Sequence, residues 1–135
     1  MSKAGVLIDT SVLIDFLRQN NKMTTWYYHI AATEAKLLIS ILTHTELYSG
    51  KKIWKNARSR NELQELLSAI EILPFSQKIS ENSGKLRALA DIDLPDAIIA
   101  ATAIESKLPL ATLNPRHFKK IPGLHLLKPV LKYKN

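Results

Sequence analysis

Short apolar runs alternating with longer stretches of helical period are the feature that most constrains this chain. Gly5-Val6-Leu7-Ile8 is the first run, and Leu37 to Leu42, broken only by Ser40, is the second. Runs this short read as strands, and the periodic segments between them read as the connecting helices. That alternation predicts an α/β domain with a mainly parallel central sheet. The first run stops at Asp9-Thr10-Ser11, a helix-start signal, after which Val12, Leu13, Phe16 and Leu17 follow helical spacing. Residues about 24 to 35 read as a second helix carrying Trp26, Tyr27 and Ile30. Leu63, Leu66, Leu67 and Ile70 form an i, i+3, i+4, i+7 stripe, and Ile72-Leu73-Pro74-Phe75 reads as a strand ended by its proline. Ile79, Leu86, Leu89 and Ala90 mark another amphipathic helix. Ala97 to Ile104 is apolar nearly all round and reads as a buried helix. Leu110-Ala111-Thr112 and Leu124 to Leu127 are the remaining strand candidates. No repeat or linker divides the 135 residues, a length suited to one domain over residues 1–135.

Composition narrows the chemistry. The chain has no cysteine, so disulfides, thiolate zinc sites and cysteine nucleophiles are excluded, and any metal must be held by oxygen or imidazole. The first apolar run is interrupted at Asp9, too short for a signal segment or a membrane span, which makes a cytoplasmic protein the expectation. The net charge is +7, and the excess is uneven. Lys51, Lys52, Lys55, Arg58 and Arg60 stand together with no acid among them. After Glu105 come Lys107, Arg116, Lys119, Lys120, Lys128, Lys132 and Lys134, again without an acid. Basic blocks of this kind attract polyanions.

Three carboxylates occupy corresponding places. Asp9 ends the first strand, Glu46 lies in the first helical turn after the second, and Asp96 lies in the first turn of the buried helix, just after Pro95. In an open parallel sheet, strand ends and the following helix starts share one edge, where ligands bind. Acids delivered there repel: at about 4 Å two carboxylates cost roughly 1 kcal/mol in water and about 4 at an effective dielectric of 20. A hard divalent cation removes that cost, and carboxylates with a few waters suit Mg2+ or Mn2+. Such an ion polarises a phosphodiester and lowers the pKa of a water. Each acid also has a local role open to it. Thr43 and Glu46 fit a capping box, Asp93-x-x-Asp96 a similar cap, and Asp9 an N-cap. Caps and ligands are compatible roles.

At these residues the chain resembles a known family. Leu7-Ile8-Asp9-Thr10-Ser11-Val12-Leu13-Ile14 is similar to the opening of PIN domains, small nucleases common as toxins in bacterial and archaeal toxin–antitoxin pairs. Thr45-Glu46-Leu47-Tyr48-Ser49-Gly50 resembles the second signature of that family, and Leu94-Pro95-Asp96-Ala97-Ile98-Ile99-Ala100-Ala101-Thr102-Ala103 the third. Leu110-Ala111-Thr112-Leu113-Asn114-Pro115-Arg116-His117-Phe118 resembles the fourth, and the segments keep the family's order over residues 5 to 118.

The resemblance implies a three-layer α/β/α fold and an Mg2+- or Mn2+-dependent endoribonuclease in which Asp9, Glu46 and Asp96 hold the metal. It implies that Thr10 or Ser11 supplies a hydroxyl supporting the metal's water shell. It further implies a homodimer and a small antitoxin that blocks the site. The chain departs from the fullest pattern at the fourth signature, where Asn114 and His117 stand at places that often hold aspartate. Asn114 keeps a carbonyl oxygen to assist but no charge, which weakens the case for a second tightly held metal, not for the first. Asp93 and His117 are expected as supporting residues. Lys51, Lys52, Lys55, Arg116, Lys119 and Lys120 are expected to carry the RNA backbone. Two other readings keep these residues: an RNA-processing nuclease without an antitoxin, and a non-catalytic binding module whose acids are only caps. A receiver or an aspartate-nucleophile phosphatase fits worse, because the phosphatase expects an acid where Ser11 stands and the receiver one near Pro74-Phe75.

Overall fold

Side chains alternate across a strand, so consecutive apolar residues must bury on both faces of a sheet. The computed structural model describes residues 4–129 and meets that requirement with helices on each side. Lys132 and Lys134 of the basic tail lie outside the described residues. In β1 (Gly5–Ile8), Val6 and Ile8 enter one core cluster and Leu7 the other. In β2 (Lys36–Ser40), Leu37 and Ile39 join the first and Leu38 the second. The first cluster is completed by α1 (Thr10–Arg18), α2 (Trp26–Ala32), α3 (Ile41–Tyr48) and α5 (Ala57–Leu67). The second is covered by α7 (Leu94–Ser106), whose Ile99, Ala100 and Ala103 lie against Leu7 and Leu110, with Phe118, Ile121 and Leu86 of α6 (Gln77–Ala90) closing it. Alanines on α7 let it approach the strands closely, and full burial of each leucine or isoleucine contributes about 1.5–3 kcal/mol.

The sheet has four parallel strands in the order β3-β2-β1-β4, with β3 at Glu71–Leu73 and β4 at Leu110–Ala111. Successive crossovers move the chain outward from β1 to β3. It then returns past both strands to place β4 on the other side of β1. A reversal of direction moves the crossover helices to the opposite face, because such connections keep one hand. The result is the expected α/β/α layering. The gap between β1 and β4, where the order reverses, is the switch point at which sheets of this class bind ligands.

The connection from β2 to β3 also settles where one basic block lies. Ser40 ends β2 and caps α3, so α3 begins at the carboxyl end of the sheet. Parallel β3 must start from the amino end, so α5, about 16 Å long at 1.5 Å per residue, runs back down. α4 (Lys51–Lys55) and the start of α5 therefore stay at the carboxyl end, with the switch point.

Several local expectations are corrected. The apolar run after Leu37 ends as a strand at Ser40, whose hydroxyl accepts from the Leu42 N–H at 2.9 Å and turns Ile41 and Leu42 into helix. Thr43 is therefore inside α3 and not its cap, and Glu46 stands in the second turn instead of the first. α2 is shorter than expected, preceded by a 3-10 turn at Lys22–Thr24. Leu89, placed by periodicity on the buried stripe of α6, is 77% exposed, while Ser83 is buried and donates to the Ile79 carbonyl. Leu124 to Leu127 adds only a single parallel bridge, Leu110 to Leu126, instead of a strand. No helix among the described residues is long and apolar enough to cross a membrane.

These placements set a stability contrast. Leu63→Ala, at a fully buried site on α5, is expected to cost about 2–5 kcal/mol in urea unfolding. Leu89→Ala is expected within about 0.5 kcal/mol of the parent. Comparable losses from both would contradict the assigned face of α6.

Candidate active site

The site is built outward from Asp9, the residue that leaves β1. Its backbone N–H donates to the Ala111 carbonyl at 2.9 Å, continuing the β1–β4 ladder one step beyond the strands. Its carboxylate is buried and held from three directions. Oδ1 accepts from the Thr10 N–H at 2.9 Å, and Oδ2 accepts from Ser11 Oγ at 2.9 Å and Thr112 Oγ1 at 2.6 Å. Each of those hydroxyls is itself fixed, because Ser11 Oγ accepts from the Leu113 N–H and Thr112 Oγ1 from the Asn114 N–H, both at 3.0 Å. Asp9 is thus the N-cap of α1 and at the same time the joint between α1 and the exit of β4.

Glu46 reaches this joint through Thr10. Thr10 Oγ1 donates to Glu46 Oε1 at 2.7 Å and lies 3.0 Å from Thr43 Oγ1. A hydroxyl has one proton, and an ionised carboxylate only accepts, so Thr43 must supply the proton of the second contact. Thr43 and Glu46 are three residues apart on α3 and so share a face. Their relation is joint service to Thr10, not the capping box that the spacing suggests.

Asp96 enters from α7. Its N-cap residue Asp93 makes no side-chain cap bond, and its carbonyl accepts from the Ala97 N–H at 2.9 Å. Asp96 Oδ2 lies 3.2 Å from His117 Nδ1. Burial pushes the Asp96 carboxyl above its ordinary range. The adjacent His117 opposes that shift, and the charges of Asp9 and Asp93 add to it. Asp96 and Asp9 therefore sense one another across the switch point.

Among the described residues, no group of three or more acids or histidines is gathered tightly enough to hold a metal by protein ligands alone. The donors that do converge are all hard oxygens, and neither Glu46 Oε2 nor Asp96 Oδ1 takes a hydrogen bond among the described residues. That set suits Mg2+, which keeps several waters and needs only one or two carboxylates directly.

The other expected residues fall at the rim. Asn114, exposed, follows Thr112 with its side chain free of any cap bond, and its carbonyl accepts from the His117 N–H at 3.0 Å. A cavity of about 370 Å³ opens beside Asp96, lined by Asp91, Ile92, Asp93, Arg116, His117 and Lys120 among others. Lys119 is exposed on the same turn, and Lys51, Lys52 and Lys55 are exposed on α4. A larger cavity of about 610 Å³, against Phe16, Tyr27 and Glu62, contains none of the three acids. Sequence reasoning missed Thr112 and the role of Thr43. A threonine directly after the last apolar run was the available signal, but its meaning depends on the register that sets Ile8 beside Ala111.

Comparison with known proteins gives a consistent picture. The sequence model of the PIN domain matches residues 6–124. The chain is 33% identical over 129 residues to a Mycobacterium tuberculosis protein named ribonuclease VapC10, covering 92% of this chain and 91% of that one. It is similar to a chain in a toxin–antitoxin complex from Klebsiella pneumoniae, with a TM-score of 0.75, 31% identity, and coverage of 93% and 100%. It is also similar to a chain of VapBC2 from Rickettsia felis bound to a DNA fragment from their promoter, with a TM-score of 0.76, 27% identity, and coverage of 90% and 96%.

The raised Asp96 carboxyl carries a signed consequence. A carboxyl whose folded value exceeds its unfolded value opposes folding when ionised. That opposition is complete above the folded value and vanishes below the unfolded one, about 3.9. In EDTA at neutral pH, Asp96→Asn is expected to melt above the parent, with the gap closing as pH falls through the carboxylate range. A lower melting temperature for the variant at every pH would show that Asp96 is a net stabilising group in the metal-free protein.

Proposed function

The chain belongs to the PIN-domain family, and on that footing we propose that it is a divalent-metal-dependent endoribonuclease, the toxin of a toxin–antitoxin pair. The observation that supports the reading is that Thr10 ties Glu46 to the turn that clamps Asp9, while Asp96 feels the charge of Asp9 across the β1–β4 switch point. The naming of a similar solved structure as a toxin–antitoxin complex supports a small antitoxin partner over a solitary RNA-processing role.

In this reading Asp9, Glu46 and Asp96 hold Mg2+ or Mn2+. When bound, the ion neutralises charge on the phosphodiester and acidifies a water, the chemistry that phosphodiester hydrolysis needs. The residues of the chain provide the rest. Ser11 and Thr112 orient the Asp9 carboxylate, and Thr10 sets Glu46 toward it. His117 and Asp93 tune Asp96 with opposite signs, the imidazole favouring its ionised form and the second carboxylate opposing it. Asn114 offers a neutral oxygen at the rim, which fits one tightly held ion better than two. Lys51, Lys52 and Lys55 on one flank and Arg116, Lys119 and Lys120 on the other bind RNA phosphates. The whole chain, residues 1–135, works as one nuclease domain, as a homodimer in the cytoplasm.

Three measurements check this. Asp9→Asn or Asp96→Asn is expected to abolish cleavage of a mixed RNA pool while the far-UV spectrum stays that of the folded protein; near-normal activity in either would remove the proposed ligand set. Mg2+ at ten times its dissociation constant is expected to stabilise the parent by about 1.4 kcal/mol and Asp96→Asn by much less. Equal gains would leave the acids as caps and favour a non-catalytic module. RNA affinity is expected to fall steeply with salt, and replacing Lys51, Lys52 and Lys55 by alanine to flatten that slope. An unchanged slope would move the RNA path to the Arg116–Lys120 side.

A further inference from the structure

α4 is short, yet it carries an exposed tryptophan in a fixed pose. Trp54 is 62% exposed, although its indole N–H donates to the Tyr48 carbonyl at 2.7 Å. Its ring lies 5.9 Å from that of Tyr48, tilted by 40°, and Tyr48 in turn lies 4.9 Å from His44. The bond and the ring contact hold the indole by its edge and part of one face and leave the rest in solvent. Burial of core area does not explain a residue so placed, and the same bond removes the polar reason for an indole to face water.

The surroundings indicate what would cover it. Lys51, Lys52 and Lys55 flank Trp54 on the same helix, all exposed, and among the described residues none forms an ion pair. No acid occurs from 51 to 60. A pinned aromatic ring within uncompensated cations is the composition that binds single-stranded nucleic acid, with phosphates on the lysines and a base on the ring. The position fits too. Tyr48 is two residues, about 3 Å of helix rise, beyond Glu46, and α4 follows α3 at the carboxyl end of the sheet, where Asp9 leaves β1.

We propose that Trp54, backed by Tyr48, is a stacking platform for an unpaired base of the RNA substrate, holding the strand beside the site while Lys51, Lys52 and Lys55 hold its phosphates. This rests on RNA being the substrate. It goes beyond charge attraction because it assigns base contact to a residue that carries no charge, and it predicts a preference for single strands over duplex.

The test is fluorescence-anisotropy binding of a single-stranded RNA decamer and of a fully abasic strand of the same length. Protein carrying Asp96→Asn, in EDTA, keeps the strand intact. Trp54→Ala is expected to weaken binding of the base-bearing strand about 5- to 150-fold, the equivalent of the roughly 1–3 kcal/mol one stacked base contributes. Trp54→Phe, which keeps a ring but not the bond to Tyr48, is expected to recover most of the loss. The abasic strand is expected to bind both proteins alike, and the slope against salt to stay constant. Equal affinity of the parent and Trp54→Ala for the base-bearing strand would overturn the platform. So would a loss that persists against the abasic strand, which would mark Trp54 as structural. Failure of the parent to bind either strand would reject RNA as substrate, a result distinct from failure of the platform alone.

Discussion

Everything in the site depends on the pairing of the first strand with the last. β4 is only two residues long, and it meets β1 through Leu7 opposite Leu110 and Ile8 opposite Ala111. The Asp9 N–H to Ala111 carbonyl bond and the Thr112 hydroxyl on the Asp9 carboxylate extend this contact past the sheet. So short a strand cannot hold itself by hydrogen bonds; burial holds it. Leu110 and Ala111 are wholly inside, on opposite faces, each packed into a different cluster. The core therefore positions the chemistry: loss of packing around β4 would release Thr112 and Leu113 from Asp9 and Ser11.

The same point concentrates charge that the fold does not need. Asp96 is partly buried with Asp9 and Asp93 as electrostatic neighbours, and His117 offsets only part of the cost. Placement in the first turn of α7 adds a favourable interaction with the helix dipole, typically 0.3–1 kcal/mol. What remains is chiefly the desolvation of the Asp96 carboxylate, with repulsion from Asp9 and Asp93 added to it, and it makes ionised Asp96 costly to the folded chain. Around this acidic centre the basic flanks reverse the sign of the surface. The exposed lysines of α4 and of the Arg116–Lys120 turn create a field of the sign that attracts polyanions.

Much of this was legible in residue order. The apolar runs at Gly5–Ile8 and Leu37–Ile39 marked the central strands because continuous burial on two faces requires continuous apolar sequence. Ala97 to Ala103 marked the buried helix for the same reason, and Asp9, Glu46 and Asp96 stood out because each followed or opened such an element. What failed was boundary chemistry. Ser40 interrupted an apolar run and looked like a tolerated polar residue in a strand, whereas its hydroxyl starts α3 and moves Glu46 into the second turn. Leu89 failed because periodicity reports which residues share a helical face, not whether a neighbour covers it; Ile79 and Ser83 are buried, whereas Leu89 is left in solvent.

By itself, then, the sequence determined the fold class, the helix and strand types, the hydroxyls and acids available, and the two basic blocks. These are local properties, set by periodicity and by side-chain chemistry within a few residues. Only the tertiary structure decided the strand order, and with it that β4 lies beside β1, that Thr112 clamps an aspartate 103 residues away, and that Thr10 joins Glu46 to the Asp9 turn. Such contacts arise from which buried faces fit together, a global competition that no local pattern encodes. Four parallel strands with similar apolar faces admit several orders, and the packing of α1, α2 and α5 on one side and α7 on the other selects one.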